Sequence, residues 1–176
     1  ANLNNCYISA YGYGAAVTNA TTFAMMDRLG IAQYLSRIGL LIDGNTGESL
    51  KAAKQSWMED PVWQPLRKHC EDSFVVQDWF EVFVAQNLVT DGLLYPLVYG
   101  RFAGELSQTG GAVVSMLTEF MDEWYAESVK WVDAFVKTAA AESPENKHLL
   151  SQWVSDGTAR ATEALTPLAR LMYFED

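Results

Sequence analysis

Residues 60–99, DPVWQPLRKHCEDSFVVQDWFEVFVAQNLVTDGLLYPLVY, decide the fold. Phe74, Val75, Val76, Trp79, Phe80, Phe83, Val84, Leu88, Leu93, Leu94 and Leu97 recur at helical spacing, with Asp78, Glu81, Gln86, Asn87 and Asp91 set among them. A soluble helix that is apolar nearly all round is buried among other helices. Carboxylates and amides buried there need hydrogen-bond partners or a ligand. Whether that ligand is a metal turns on histidine, because helical metal bundles combine carboxylates with histidines at fixed spacing. The chain has only His69 and His148.

Outward from this stretch the same periodicity dominates and strand alternation is scarce, so the chain reads as all-α. Ala1–Ala10 reads as the tail of a helix, and Gly12-Tyr13-Gly14 gives the backbone freedom to break before a helix over Ala15–Leu41. Asp43-Gly44-Asn45-Thr46-Gly47 is the clearest loop, followed by a short helix over Glu48–Met58. Asp60-Pro61 places an acceptor before a proline at a helix start, with Pro65 delaying the regular helix by a turn. From about Leu66 the pattern runs to Leu106, with a kink expected at Pro96. Gly110-Gly111 precedes the most regular helix, Val113–Ala141, whose apolar face carries Leu117, Phe120, Met121, Trp124, Trp131, Val132, Phe135 and Val136. Ser143-Pro144 starts another helix, and Gly157 is expected to divide it from a last one ending near Tyr173.

The chain reads as a single domain over 1–176, excised from a longer polypeptide, since it starts at Ala1 in helical sequence. A net charge of −10 leaves no broad basic surface to neutralise phosphates and disfavours anionic membranes, so neither nucleic acid nor membrane is an expected partner. The uncharged first 26 residues are rich in Asn, Ser, Thr and Gly and lack the basic start of a signal peptide. Cys6 and Cys70 are too few and too far apart for a disulfide framework, and reduced thiols in a cytoplasmic protein are the simpler expectation.

Glu145-Asn146-Lys147-His148 has the Glu-x-x-His spacing that turns two ligands to one side of a helix, yet it follows Ser143-Pro144 in a polar first turn that reads as surface. In His69-Cys70 the neighbours point about 100° apart on a helix, and no second Cys or His is close in sequence to complete a metal site. Asp78, Glu81 and Asp91 have no nucleophile or phosphate loop beside them, and hydrogen-bonded spacers within a helical interface are the plainer reading.

The segments Asp60-Pro61-Val62-Trp63-Gln64, Glu71-Asp72-Ser73-Phe74-Val75, Asp78-Trp79-Phe80-Glu81, Ala85-Gln86-Asn87-Leu88-Val89 and Asp91-Gly92-Leu93-Leu94 resemble the β subunit of bacterial multicomponent phenol hydroxylases. So do Met26-Asp27-Arg28-Leu29-Gly30, the run from Gln33 to Leu41, the run from Met116 to Met121, and Trp131-Val132-Asp133-Ala134. The resemblance implies a ferritin-like helical bundle that is a non-metal-binding relative of a larger α subunit holding the di-iron centre. It implies an assembly of α, β and a small γ chain, served by an NADH-dependent reductase and an effector protein, hydroxylating phenols or related aromatics with O2. Laid on the α subunit's two Glu-x-x-His helices, this chain places Asp27 with Gly30, and Glu127 with Lys130-Trp131, where the ligands would stand. No histidine falls at either position.

The reading is therefore a structural subunit with no catalytic, cofactor-binding or metal-binding residue of its own. Trp79, Phe83 and Tyr95 are candidate interface anchors. Two alternatives remain: a self-contained di-iron oxidase using Glu81, Asp91, Glu127 and a histidine, and an acidic helical adaptor for an unrelated partner.

Overall fold

The computed structural model describes residues 1–108 and 111–173, and Gly110 lies outside them. No described residue lies in a strand, as the all-α reading requires. The helices are α1 (Asn2–Tyr11), α2 (Ala15–Ile42), α3 (Glu48–Glu59), α4 (Gln64–Ser73), α5 (Trp79–Phe83), α6 (Asp91–Tyr95), α7 (Ala103–Gln108), α8 (Ala112–Glu142) and α9 (Pro144–Tyr173). Two π-helical segments, Val84–Thr90 and Pro96–Phe102, join α5 to α6 and α6 to α7. The residues form two compact units, Ala1–Trp79 and Phe80–Asp176.

In the first unit α1 and α2 form a hairpin. Ser9 Oγ shares a hydrogen bond with Thr22 Oγ1, and Asn2 Nδ2 donates to the Met25 carbonyl at 2.8 Å. Small and polar side chains permit this close pairing: Thr21 is wholly buried and returns its hydroxyl to the Val17 carbonyl at 2.9 Å. The 43–47 loop forms as the sequence indicates. Gly44, Asn45 and Gly47 take positive φ of 66°, 68° and 81°, and Asp43 accepts the Thr46 and Ser49 amides at 3.1 and 2.8 Å. Those donors, the Ser49 amide foremost, hold the Asp43 carboxyl below its ordinary pKa. Asp60 accepts the Val62 amide at 3.1 Å, and the regular helix waits until Gln64, the delay that Pro65 foretells.

The expected helix from Leu66 to Leu106 is interrupted. Residues 74–78 leave the helix: the Phe74 and Val75 amides bond back to Glu71 and Asp72 at 3.1 and 3.3 Å, closing α4 with tight three-residue turns. Phe74 and Val75 are 50% and 78% exposed, so two residues read as core lie at the surface.

In the second unit the helical path resumes and Pro96 acts where expected, although its effect is a π-helical stretch. Proline has no N–H for the regular ladder, and a widened turn accommodates the loss. Phe83 is fully buried at the centre of an aromatic cluster, its ring 5.0 Å from Phe135 and 5.7 Å from Trp131, with Phe80 in turn 6.2 Å from Trp153. Burying such a side chain contributes about 3 kcal/mol. Ser143 caps α9 by accepting the Asn146 amide at 3.0 Å. Gly157 does not divide α9, which is continuous; it is buried, and a Cβ there would meet Val89 at an ordinary contact distance of 3.5 Å.

Candidate functional site

The polar residues of the 84–91 segment lie together in the second unit's core. Gln86, Asn87, Thr90 and Asp91 are all buried. Gln86 Nε2 donates to Asp91 Oδ1 at 3.0 Å, and Thr90 Oγ1 donates to the Ala85 carbonyl, five residues back, at 2.6 Å. The Thr90 bond matches the wider repeat of the π turn, which leaves carbonyls without their regular α-helical partner. Asp91 is thus a carboxylate held by an amide in the protein interior, as the spacer reading anticipates. Around it Tyr95 stacks on Tyr125 at 5.2 Å and 12°, and Trp124 and Tyr99 lie 5.4 and 5.3 Å from Tyr95. Burial raises the Tyr99 and Tyr125 hydroxyl pKa values, with the Asp91 charge adding to the effect at Tyr125.

The residues weighed as metal ligands do not converge. Glu81 faces Arg160 at 3.9 Å, Glu127 accepts from Lys130 at 2.6 Å on the surface, and His148 is exposed in the first turn of α9. Asp27 and Gly30 are exposed on α2. Among the described residues no three His, Cys, Asp or Glu side chains are grouped to hold a metal ion. The donor set at 27, 30, 127 and 130 does not fit a di-iron centre, since glycine offers no ligand and an ammonium repels a cation. Asp78 is exposed in the 74–78 break, not embedded in a helix. His69 and Cys70 lie half-buried on α4, and burial raises the thiol pKa, which disfavours the reactive thiolate.

Of the candidate anchors, Phe83 is 0% and Tyr95 6% exposed, both packed on residues of their own unit, and Trp79 is half-buried at the start of α5. The exposed apolar residues are elsewhere. Phe23, Met26 and Leu29 on α2 are 68%, 59% and 55% exposed, and Val113 and Met116 on α8 are 68% and 73% exposed. Their spacing of three residues was the available signal, and a single sequence does not say which side of an apolar helix faces its own core.

This is an all-α chain whose buried carboxylate is engaged by an amide and whose described residues form no metal-binding group. Residues 1–143 match the methane/phenol/alkene hydroxylase family, and the chain belongs to that family. It is 54% identical over 169 residues to the phenol 2-monooxygenase oxygenase component DmpL of Pseudomonas sp. strain CF600, covering 96% of this chain and 51% of that protein. It is 25% identical over 101 residues to the toluene-4-monooxygenase hydroxylase component subunit beta of Ectopseudomonas mendocina, covering 57% of this chain and 31% of that one. Phenol hydroxylase from Pseudomonas sp. OX1 superposes with a TM-score of 0.94 at 47% identity, over 97% of this chain and 52% of the solved chain. The chain spans about half the length of the relatives it matches. The resemblance read from the sequence and the helical hydroxylase-subunit fold both hold.

Proposed function

We propose that this chain is the β-type structural subunit of a multicomponent phenol monooxygenase, packing against a larger α subunit that carries the di-iron centre. The observation that carries this reading is the chemistry at positions 27, 30, 127 and 130. A family of oxygenase components is matched across most of the chain, yet Asp27 and Gly30 are exposed and Glu127 is engaged by Lys130. Such residues support a scaffold role and leave oxygen activation to a partner. The wider assembly would add a γ chain, an NADH-dependent reductase and an effector protein, in the cytoplasm, acting on phenols or related aromatics with O2. Residues 1–176 would form one ferritin-like domain of this subunit. Of the candidate anchors Trp79, Phe83 and Tyr95, the half-buried Trp79 is the one with surface to offer a partner, and Phe83 and Tyr95 would serve their own unit's core.

Co-expression of the full-length protein with its tagged α subunit tests the proposal. The expected result is a stable complex with iron, which hydroxylates phenol when reductase, effector and NADH are supplied, and loss of that complex when the β chain is omitted. Equal activity and stability of the α subunit without the β chain would contradict it.

A further inference from the structure

Two aromatic contacts hold the path from α5 to α6 against α8. Phe83 meets Phe135 at 5.0 Å and Trp131 at 5.7 Å, and Tyr95 meets Trp124 at 5.4 Å and Tyr125 at 5.2 Å. Phe83 and Tyr95 are 12 positions apart, whereas their partners span at most 11 positions of α8, from Trp124 to Phe135, and α8 is α-helical throughout. Twelve residues of α-helix turn through about 1200°, which leaves two side chains roughly 120° apart, while 11 residues close to within about 20°. A regular helix from Phe83 to Tyr95 would therefore turn one of the two rings away from α8. The π-helical segment Val84–Thr90 lies between them, and a π turn holds one residue more than an α turn. The extra residue takes about 100° out of the path and returns both rings to one face.

We propose that Val84–Thr90 is a one-residue register insert that lets both aromatic clusters dock on α8, and that the Gln86–Asp91 and Thr90–Ala85 hydrogen bonds are the clips that hold it. Both bonds span five residues, at 3.0 and 2.6 Å. On an α-helix the side chains that meet are three or four apart, and those five apart point about 140° away from each other. The regular helices of this chain keep the ordinary spacing: Thr21, Thr118 and Thr138 return their hydroxyls to Val17, Val114 and Ala134, four residues back. Gln86, Thr90 and Asp91 are buried, so a change to the α register would pull these polar groups off their partners inside the protein. The buried polar residues thus act as a lock, favouring the wide turn over the α register that the backbone otherwise prefers. The second π segment begins at Pro96, beyond Tyr95, and proline is its own cause.

Deleting Leu88 from the full-length subunit tests this. The deletion turns both clips into four-residue bonds, which an α-helix accommodates, and leaves Phe83 and Tyr95 11 positions apart. Leu88→Ala controls for loss of the half-buried side chain, and deletion of the exposed Ala126 from α8 breaks the register between the same two clusters. In thermal melts followed by circular dichroism, the Leu88 deletion is expected to unfold cooperatively within about 5 °C of Leu88→Ala, and the Ala126 deletion at least about 15 °C lower. A crystal structure of the Leu88 deletion should show regular α-helix from Phe80 to Tyr95, with Phe83 still on Phe135 and Tyr95 still on Tyr125. A melting loss equal to that of the Ala126 deletion overturns the proposal, and so does equal tolerance of both deletions. A folded Leu88 deletion that retains the π turn, or that has one ring displaced from α8, overturns it as well.

Discussion

The two units each bury apolar side chains, Ile8, Val17 and Leu66 in the first and Phe83, Met121 and Leu168 in the second, but differ in what else joins their helices. In Ala1–Trp79 side-chain hydrogen bonds link distant segments: Asn4 Nδ2 donates to Ser73 Oγ at 2.9 Å, Tyr7 donates to the Gln77 carbonyl at 2.6 Å, and Asn2 reaches the Met25 carbonyl. Large apolar side chains such as Phe23, Met26 and Ile42 point outward there. In Phe80–Asp176 the half-buried rings of Phe80, Trp131 and Phe135 pack tilted and edge-on around the wholly buried Phe83. The contrast teaches that a helix's composition does not say where its core lies. Each unit encloses an apolar core and leaves other large apolar side chains exposed, Phe23 and Met26 in the first and Val113 and Met116 in the second.

The largest effect should come from breaking the second unit's centre. Phe83→Ala removes a wholly buried ring touching Phe80, Trp131 and Phe135, and should cost about 3–5 kcal/mol in urea unfolding. A loss under about 1 kcal/mol would mean that the cluster collapses around the gap. Gln86→Leu deletes the amide that serves the buried Asp91 carboxylate and should cost about 1.5–3 kcal/mol; adding Asp91→Leu should recover part of it. A double-variant loss equal to the sum of the separate Gln86→Leu and Asp91→Leu losses would deny that the pair is coupled. In the first unit Asn4→Ala removes one neutral hydrogen bond to Ser73 and should cost about 1 kcal/mol.

Gly157→Ala sharpens the contrast by its sign. The added Cβ meets Val89 at an ordinary 3.5 Å within a continuous helix, so the substitution should stabilise by about 0.5–1 kcal/mol through helix propensity. A loss would show that the α9 packing has no slack. The smallest expected effect is electrostatic. The Asp43 carboxyl is held below its unfolded value, so its capping contribution is present above the ordinary aspartate range and is lost as pH falls through the folded pKa. Asp43→Asn should flatten the acid limb of the stability curve slightly, measured by thermal melts across that range.

Legibility followed the strength of local chemistry. The loop at 43–47, the Ser143 cap, the long α2 and α8, and the surface place of His148 were readable, because glycine, proline, capping side chains and periodicity act locally. The break at 74–78 was not. Phe74, Val75 and Val76 carry no breaker, and the helix ends there through backbone turns and through Ser73, which also serves the sequence-distant Asn4. Gly157 misled because a lone glycine is tolerated inside a long packed helix, and α9 runs through it. Asp91 was anticipated as a hydrogen-bonded spacer, but its Gln86 partner was not, and the π turns around it have no sequence marker apart from Pro96. Family likeness located the missing histidines, while exposure at Asp27, Gly30 and Glu127 came only from the structure.

The central claim is that this chain is a scaffold and leaves iron to its partner. The most direct measurement is iron per polypeptide, with the visible spectrum of the same sample, on the full-length protein purified alone from iron-replete cells. The account predicts far less than one iron per chain and no oxo-bridged absorption. About two tightly bound irons per chain would contradict it and make Glu81, Asp91, Glu127 and His148 the residues to substitute first.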